Sequence, residues 1–166
     1  TEVKIQILLQ TDGRKFVFIG DNGTGMNADQ LFDAMRYGAP ARKNLKSLGK
    51  FGLGLKTASS AICKKFSIVS KDISGTELKK LSWDLDHVAK KEIWEMIQDP
   101  VSRDEQDMFD RLCGETGTLV IWENCDRLLS SDYEEPGGQK EKRAIDYRVE
   151  KIKEHCGLVF HKFLDH

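Results

Sequence analysis

Asp21-Asn22-Gly23-Thr24-Gly25-Met26 closes an apolar run, Phe16-Val17-Phe18-Ile19, and that junction decides how the chain is read. A carboxylate beside glycines accepts hydrogen bonds from the polar edge of a planar ring, and a backbone without side chains lets the ring come close. A second cluster, Gly49-Lys50-Phe51-Gly52-Leu53-Gly54-Leu55-Lys56-Thr57, follows after one helix and one loop and opens a further helix. Glycines at a helix start expose backbone N–H groups that favour phosphate. A base reader followed by a phosphate cradle is the order expected of a nucleotide site.

Two familiar glycine motifs fail here. The second cluster is not a P-loop, because Leu55 separates Gly54 from Lys56 and breaks the Gly-Lys-Thr step that places a lysine over the terminal phosphates. It is not a dinucleotide fingerprint either, since its spacing is Gly-x-x-Gly-x-Gly and it follows a basic loop, Arg42 to Lys50, rather than a strand.

Upstream, Val3, Ile5, Ile7 and Leu9 alternate with Lys4 and Gln6, the period of a half-buried strand. Thr11-Asp12-Gly13-Arg14 supplies a turn, and the returning strand through Phe16–Ile19 delivers Asp21 to its end. Asn27 is a good N-cap for a helix over 28–37 with Leu31, Phe32 and Met35 on its apolar face. Downstream, Phe51, Leu55, Ala58 and Ile62 recur at helical spacing and predict a buried helix. Phe66–Ser70 and Glu77–Trp83 read as strands around a Ser74-Gly75 turn, 84–98 as a half-buried helix through Val88, Ile93 and Ile97, and Asp99–Glu115 as surface loop with a short helix near Met108. Leu119–Trp122 is the next strand. Beyond a polar segment at 131–142, Ile145, Val149, Ile152, Cys156, Val159, Phe160 and Phe163 form a stripe at helical spacing. Antiparallel-looking strands with helices to cover one face predict an α+β two-layer sandwich with a mixed, mostly antiparallel sheet.

The paired glycine segments, with the later Gly117-Thr118-Leu119-Val120-Ile121-Trp122, resemble the GHKL superfamily: gyrase-type topoisomerases, large heat-shock chaperones, histidine kinases and MutL-type repair proteins. The stretch Asn27–Lys71 looks most like the MORC and chaperone-like bacterial branch. The resemblance implies the Bergerat ATP-binding fold, with ATP as ligand and Mg²⁺ in the intact protein. It implies that Asp21 accepts from the adenine amine, that Thr118 supports that carboxylate or a bridging water, and that Gly23, Gly25 and Met26 make room for and pack on the ring. It further implies that Gly49, Gly52, Gly54, Leu55, Lys56 and Thr57 hold the phosphates, Lys56 as a point charge. The blander alternatives are an Asp21 that caps its own turn and a Lys56 that is simply solvated.

The charge pattern agrees with an anion site. From Ala34 to Lys71 no residue is acidic, while Arg36, Arg42, Lys43, Lys46, Lys50, Lys56, Lys64, Lys65 and Lys71 are basic, in a chain of net charge −1. Arg42 to Lys50 reads as an anion-collecting lid and Lys64 and Lys65 as solvated charge. The chain departs from the family upstream. Members carry a helix with an Mg²⁺-ligating asparagine, and in the hydrolytic branches a water-activating carboxylate, before the first strand. The chain begins inside that strand, so it reads as an excised domain, and no catalytic or metal-binding residue is assigned. Three readings remain open: the ATP-binding domain of a GHKL-type ATPase, that of a sensor histidine kinase, and a non-hydrolysing nucleotide-binding module.

At 166 residues the chain is long enough for one core, and the expected layout is an ATP-binding domain over 1–130, a linker over 131–142, and an amphipathic helix over 143–166 that packs on the domain or leads to a second one. Cys63, Cys113, Cys125 and Cys156 form no Cys-x-x-Cys pair and read as thiols of a reducing compartment. No apolar run approaches the about 18 residues of a membrane span. Cytoplasmic location, adenine nucleotide as partner, homodimerisation of the intact protein, no membrane contact in this segment and an unnamed client complete the expectation.

Overall fold

The computed structural model of the chain describes residues 1–37, 53–129 and 133–160. Strand β1 (Val3–Leu9) turns back through residues 10–14 into β2 (Lys15–Asp21), and helix α1 (Ala28–Met35) follows. After helix α2 (Gly54–Ile62) come β3 (Lys65–Lys71), β4 (Lys79–Asp84), α3 (Leu85–Lys91), α4 (Arg103–Leu112), β5 (Gly117–Glu123) and α5 (Gln139–Val159). The strands form one sheet in the order β1-β2-β5-β3-β4, and β5 lies antiparallel between β2 and β3, as β4 does beside β3. The protein is α+β, a helix-covered antiparallel sheet, as the sequence predicts.

Strand register organises the helix-covered face into rows. Val17, Trp122, Phe66 and Trp83 stand side by side across four strands, and Ile19, Val120, Ile68 and Leu81 make the next row. Directly opposed side chains share a face, so these two rows are continuous apolar floor. Leu31 and Met35 of α1 bury against them together with Cys63. The third row, at the end of the sheet, is polar: Asp21, Thr118, Ser70 and Lys79. Apolar floor gives way to a polar edge within two residues along each strand.

The reverse face of β2 and β5 is sealed by α4. Its Leu112 and Cys113 lie so close to Gly20 that a Cβ there would stand 2.7 Å from Leu112 Cβ, and Phe109 packs with Phe18, Val69, Leu119 and Ile121. The expected surface loop over Asp99–Glu115 is therefore mostly a packed helix. Its start is a capping box, Ser102 to Glu105, in which Ser102 Oγ accepts from Glu105 N and Glu105 Oε2 accepts from Ser102 N. Lys80 Nζ meets Glu105 Oε1 at 2.7 Å. Burial works to raise the Glu105 carboxyl, but the Lys80 and Ser102 bonds outweigh it and hold it below the usual range.

Two further expectations shift. The helix over 84–98 ends at Lys91, because Glu92 takes a left-handed conformation at φ 56° that stops helical propagation. Ile93 is then exposed, and Ile97 exchanges backbone bonds with Ser82 at the edge of β4. Helix 28–37 ends at Met35, leaving Tyr37 to meet Trp83 edge-on at 5.3 Å between ring centres. Burial raises the thiol pKa of Cys63 to about 12 and of Cys113 and Cys125 to about 11, so these three are protonated at neutral pH.

The chain divides into two compact units, Thr1–Leu8 with Lys15–Leu128, and Leu9–Arg14 with Leu129–His166. In the second, Gly137 fits against the hairpin tip, where a Cβ would stand 2.5 Å from Thr11 O. Its amide donates to Glu141 Oε2 at 2.7 Å. Helix α5 begins at Gln139, inside the segment expected as linker, and of its apolar stripe Ile145 is buried while Ile152, Val159 and Phe160 are exposed. Among the described residues no helix is long and apolar enough to cross a membrane.

Candidate functional site

Asp21 is the last residue of β2, and the chain leaves the sheet there in a fixed turn. Gly23 N donates to Asp21 Oδ1 at 2.9 Å, the Asx turn that an Asp-x-Gly sequence favours. The other carboxylate oxygen makes no hydrogen bond among the described residues. Asn22 is pinned to the first strand: its Oδ1 accepts from Glu2 N at 2.7 Å and its N donates to Glu2 O at 3.3 Å. Both the capping role and an unengaged acceptor thus reside in one carboxylate.

Two glycines are required by close approach. Gly25 has φ +67°, and a Cβ on it would lie 1.9 Å from Lys71 O. Gly117, at φ +140°, would place a Cβ 1.9 Å from Asp21 O. The first keeps the loop after β2 tight against the end of β3, and the second lets β5 start alongside Asp21. Met26 packs at the margin of the apolar floor beside Ile19, and its amide donates to Ser70 Oγ at 2.9 Å.

Ser70 was not singled out by sequence reasoning. It is fully buried, and its hydroxyl reaches Gly117 O at 2.8 Å and Thr118 Oγ1 at 3.1 Å. The signal for it is tertiary: only the pairing of β3 with β5 puts Ser70 beside Thr118. Register sets Thr118 directly opposite Asp21, so the structure brings together Asp21, Gly23, Gly25, Met26 and Thr118 of the expected residues.

The second glycine segment is described from Leu53 onward; Gly49, Gly52 and the expected lid at Arg42 to Lys50 lie outside the described residues. Helix α2 starts at Gly54, and among the described residues no side chain caps its first amides. Among the described residues, a Cβ on Gly54 would meet nothing within 4 Å. Thr57 is exposed, and its hydroxyl donates back to Leu53 O at 2.8 Å. Leu55 packs on the same apolar floor as Met26.

Helix α2 buries a different face from the expected one. Ala58 is exposed and Leu55 and Ile62 are half-buried, while Lys56 and Ser59 are buried. Both buried residues meet polar partners: Ser59 Oγ accepts from Trp122 Nε1 at 2.8 Å, and Lys56 Nζ donates to Ala34 O at 2.8 Å. Lys56 Nζ also lies 5.8 Å from the centre of the Tyr37 ring. Ala34 is in the last turn of α1, where carbonyls lack intrahelical donors and the dipole favours a cation. Trp83 Nε1 caps the neighbouring carbonyl, Met35 O, at 2.9 Å. The Lys56 ammonium therefore closes the C-terminus of α1 in this structure.

That placement carries a stability prediction. Lys56→Ala should lower the free energy of unfolding by about 2–4 kcal/mol, since it removes a packed stem and strands the Ala34 carbonyl. Lys56→Met, which keeps the stem, should restore part of the loss in urea titrations. Wild-type stability in Lys56→Ala would show that the cap carries no energy.

A polar end row on an antiparallel sheet and, among the described residues, a carboxylate oxygen without a hydrogen-bond partner beside tight glycines and a helix start without a side-chain cap define a class: an α+β domain with a polar edge beside its helix-covered apolar floor. The family model for histidine kinase-, DNA gyrase B-, and HSP90-like ATPases matches residues 1–117 of this chain. The chain belongs to that family, as a GHKL-superfamily ATP-binding domain. No curated protein sequence matches the chain.

Proposed function

We propose that the chain is the nucleotide-binding domain of a GHKL-type ATPase that holds adenine at Asp21 and Thr118 and phosphates at the start of α2. The observation that carries the reading is the end row of the sheet. Asp21 keeps one carboxylate oxygen without a partner among the described residues, next to Thr118 and above an apolar floor on which a planar ring can lie. Asp21 is half-buried, so that oxygen is open to a donor from solvent or ligand, and the adenine amine is a donor of the right geometry. Gly25 and Gly117 hold the backbone near enough to admit the ring edge, and Met26 offers a soft face to it.

Phosphate fits the first amides of α2. Among the described residues they carry no side-chain cap and none comes within 4 Å of a Cβ built on Gly54, so an anion can approach the backbone and the positive end of the helix dipole. Lys56 adds charge next to that helix start, where its ammonium spends one donor on Ala34 O. Gly49, Gly52 and the basic segment to Lys50 extend the same cradle in sequence. The family uses Mg²⁺ generally, and no three His, Cys, Asp or Glu side chains converge among the described residues. Mg²⁺ typically binds through phosphate oxygens and water with only one or two protein carboxylates, so the triphosphate and water together would supply most of its shell.

Gly54→Ala separates binding from folding. A methyl at this helical position meets none of the described residues, so the melting temperature should stay the same or rise slightly. ATP affinity should fall by about tenfold, the scale of one lost or lengthened charge-assisted hydrogen bond, while adenosine affinity holds. Calorimetry that finds equal losses for ATP and adenosine, or none, would remove the helix start from the phosphate site.

A further inference from the structure

We propose that Ser70 is the positioning residue that sets Thr118 as a hydrogen-bond acceptor, and through it makes the site select a base that carries an exocyclic amine over one that carries a carbonyl. The inference rests on the reading that Asp21 and Thr118 face the base.

A serine hydroxyl has one proton and two acceptor lone pairs. Around Ser70 Oγ all three are engaged: Met26 N donates to it at 2.9 Å, Gly117 O lies at 2.8 Å, and Thr118 Oγ1 at 3.1 Å. Gly117 O is a pure acceptor, so that short contact is attractive only if Ser70 gives it the proton. Met26 N fills one lone pair. The remaining lone pair then requires Thr118 to donate. Thr118 thus spends its single proton on Ser70, and its own lone pairs are what it has left to offer. Opposite it in register stands Asp21, whose carboxylate is acceptor-only when ionised.

Asp21 and Thr118 therefore present two neighbouring acceptors and no donor between them. An amine with two N–H groups, or an amine and a water, satisfies such a pair. A carbonyl at the same position faces lone pairs on both sides. Ser70 is buried at 0% exposure, so no solvent competes for its proton and the arrangement stays locked. Without the Ser70 hydroxyl, Thr118 is free to turn its proton outward and welcome a carbonyl. Ser70 would thereby govern base choice without touching the base, and its bond to Met26 N holds the glycine loop in register at the same time.

The test compares ATP with inosine triphosphate, which replaces the amine by a carbonyl, in calorimetric titrations of the whole chain. Ser70→Ala should lower the ratio of ATP to inosine triphosphate affinity by about tenfold, the scale of one hydrogen bond. Thr118→Val should lower it to a similar degree, and Ser70→Ala added to Thr118→Val should lower it no further. Losses that are equal for both nucleotides in Ser70→Ala would make Ser70 a merely structural residue, and additive losses in the double variant would mean it does not act through Thr118. If Ser70→Ala does not fold, Ser70→Cys, a poorer donor of similar shape, must lower the ratio in the same direction, and an unchanged ratio overturns the proposal. Asp21→Asn, run in parallel, tests the underlying reading: an unchanged ratio there, or no binding by the wild type, sinks base recognition itself rather than the role of Ser70 alone.

Discussion

Asp21→Asn is expected to weaken ATP binding by about 5- to 150-fold, or about 1–3 kcal/mol, the cost of a hydrogen bond replaced by a mismatch. The substitution keeps the size of the side chain and turns one acceptor oxygen into a donor. Oδ1 is held by Gly23 N, so the amide would orient its oxygen there and aim its NH₂ at the ligand. A donor facing the adenine amine repels it. Guanine and hypoxanthine nucleotides, which present a carbonyl at that position, should lose far less and could gain. Equal ATP affinity in the wild type and Asp21→Asn, measured by calorimetry on folded protein, would take Asp21 out of the site.

The second large effect concerns the backbone that frames Asp21. Gly117→Ala should destabilise the domain by about 3 kcal/mol or more, because it combines a positive φ with a methyl driven into the Asp21 carbonyl. Relief would require β5 to slide from β2 at the very pair, Asp21 and Thr118, on which the site depends. Gly25→Ala belongs to the same class, since its Cβ meets Lys71 O at 1.9 Å. Gly54→Ala is the internal control, as its Cβ meets nothing within 4 Å among the described residues. Chemical denaturation should rank Gly117→Ala and Gly25→Ala far below Gly54→Ala, and equal stabilities for all three would contradict the backbone geometry around the site.

What the sequence disclosed of this fold is what local pattern encodes. The period of two over Val3–Leu9, the turn at residues 11–14 and the Asn27 cap are short-range signals, and β1, β2 and α1 appear where those signals place them. Asn27 even forms the full capping box with Gln30. Helix α4 had an equally local signal in Ser102-x-x-Glu105, but its many charges hid an apolar face of only Phe109 and Leu112 with Met108 at its margin. The early end of α3 turns on one left-handed residue, Glu92, a residue type that gives no warning of that conformation.

Within the site, legibility follows the same division. Asp21, Gly23 and Gly25 share one loop, so their grouping is readable in the sequence. The role of Lys56 is not: its partner, Ala34 O, is a backbone atom 22 residues away, and a lysine at helical spacing looks solvated until the end of α1 is placed over it. Ser70 is hidden for a related reason. It reads as an interior strand residue, and only the order β2-β5-β3 carries it next to Thr118 and Asp21.

The central claim, that the end row of the sheet reads the base, is tested most directly by backbone amide resonances in isotope-labelled protein. Gly23 N–H bonds to Asp21 Oδ1 and Met26 N–H bonds to Ser70 Oγ, so both amides report on the carboxylate and on the hydroxyl behind Thr118. Adding ATP or adenosine should shift the Gly23 and Met26 resonances together and to saturation, while inosine at the same concentration shifts them little. Shifts of the same size with inosine, or an adenosine response that leaves Gly23 and Met26 unmoved, would contradict the account.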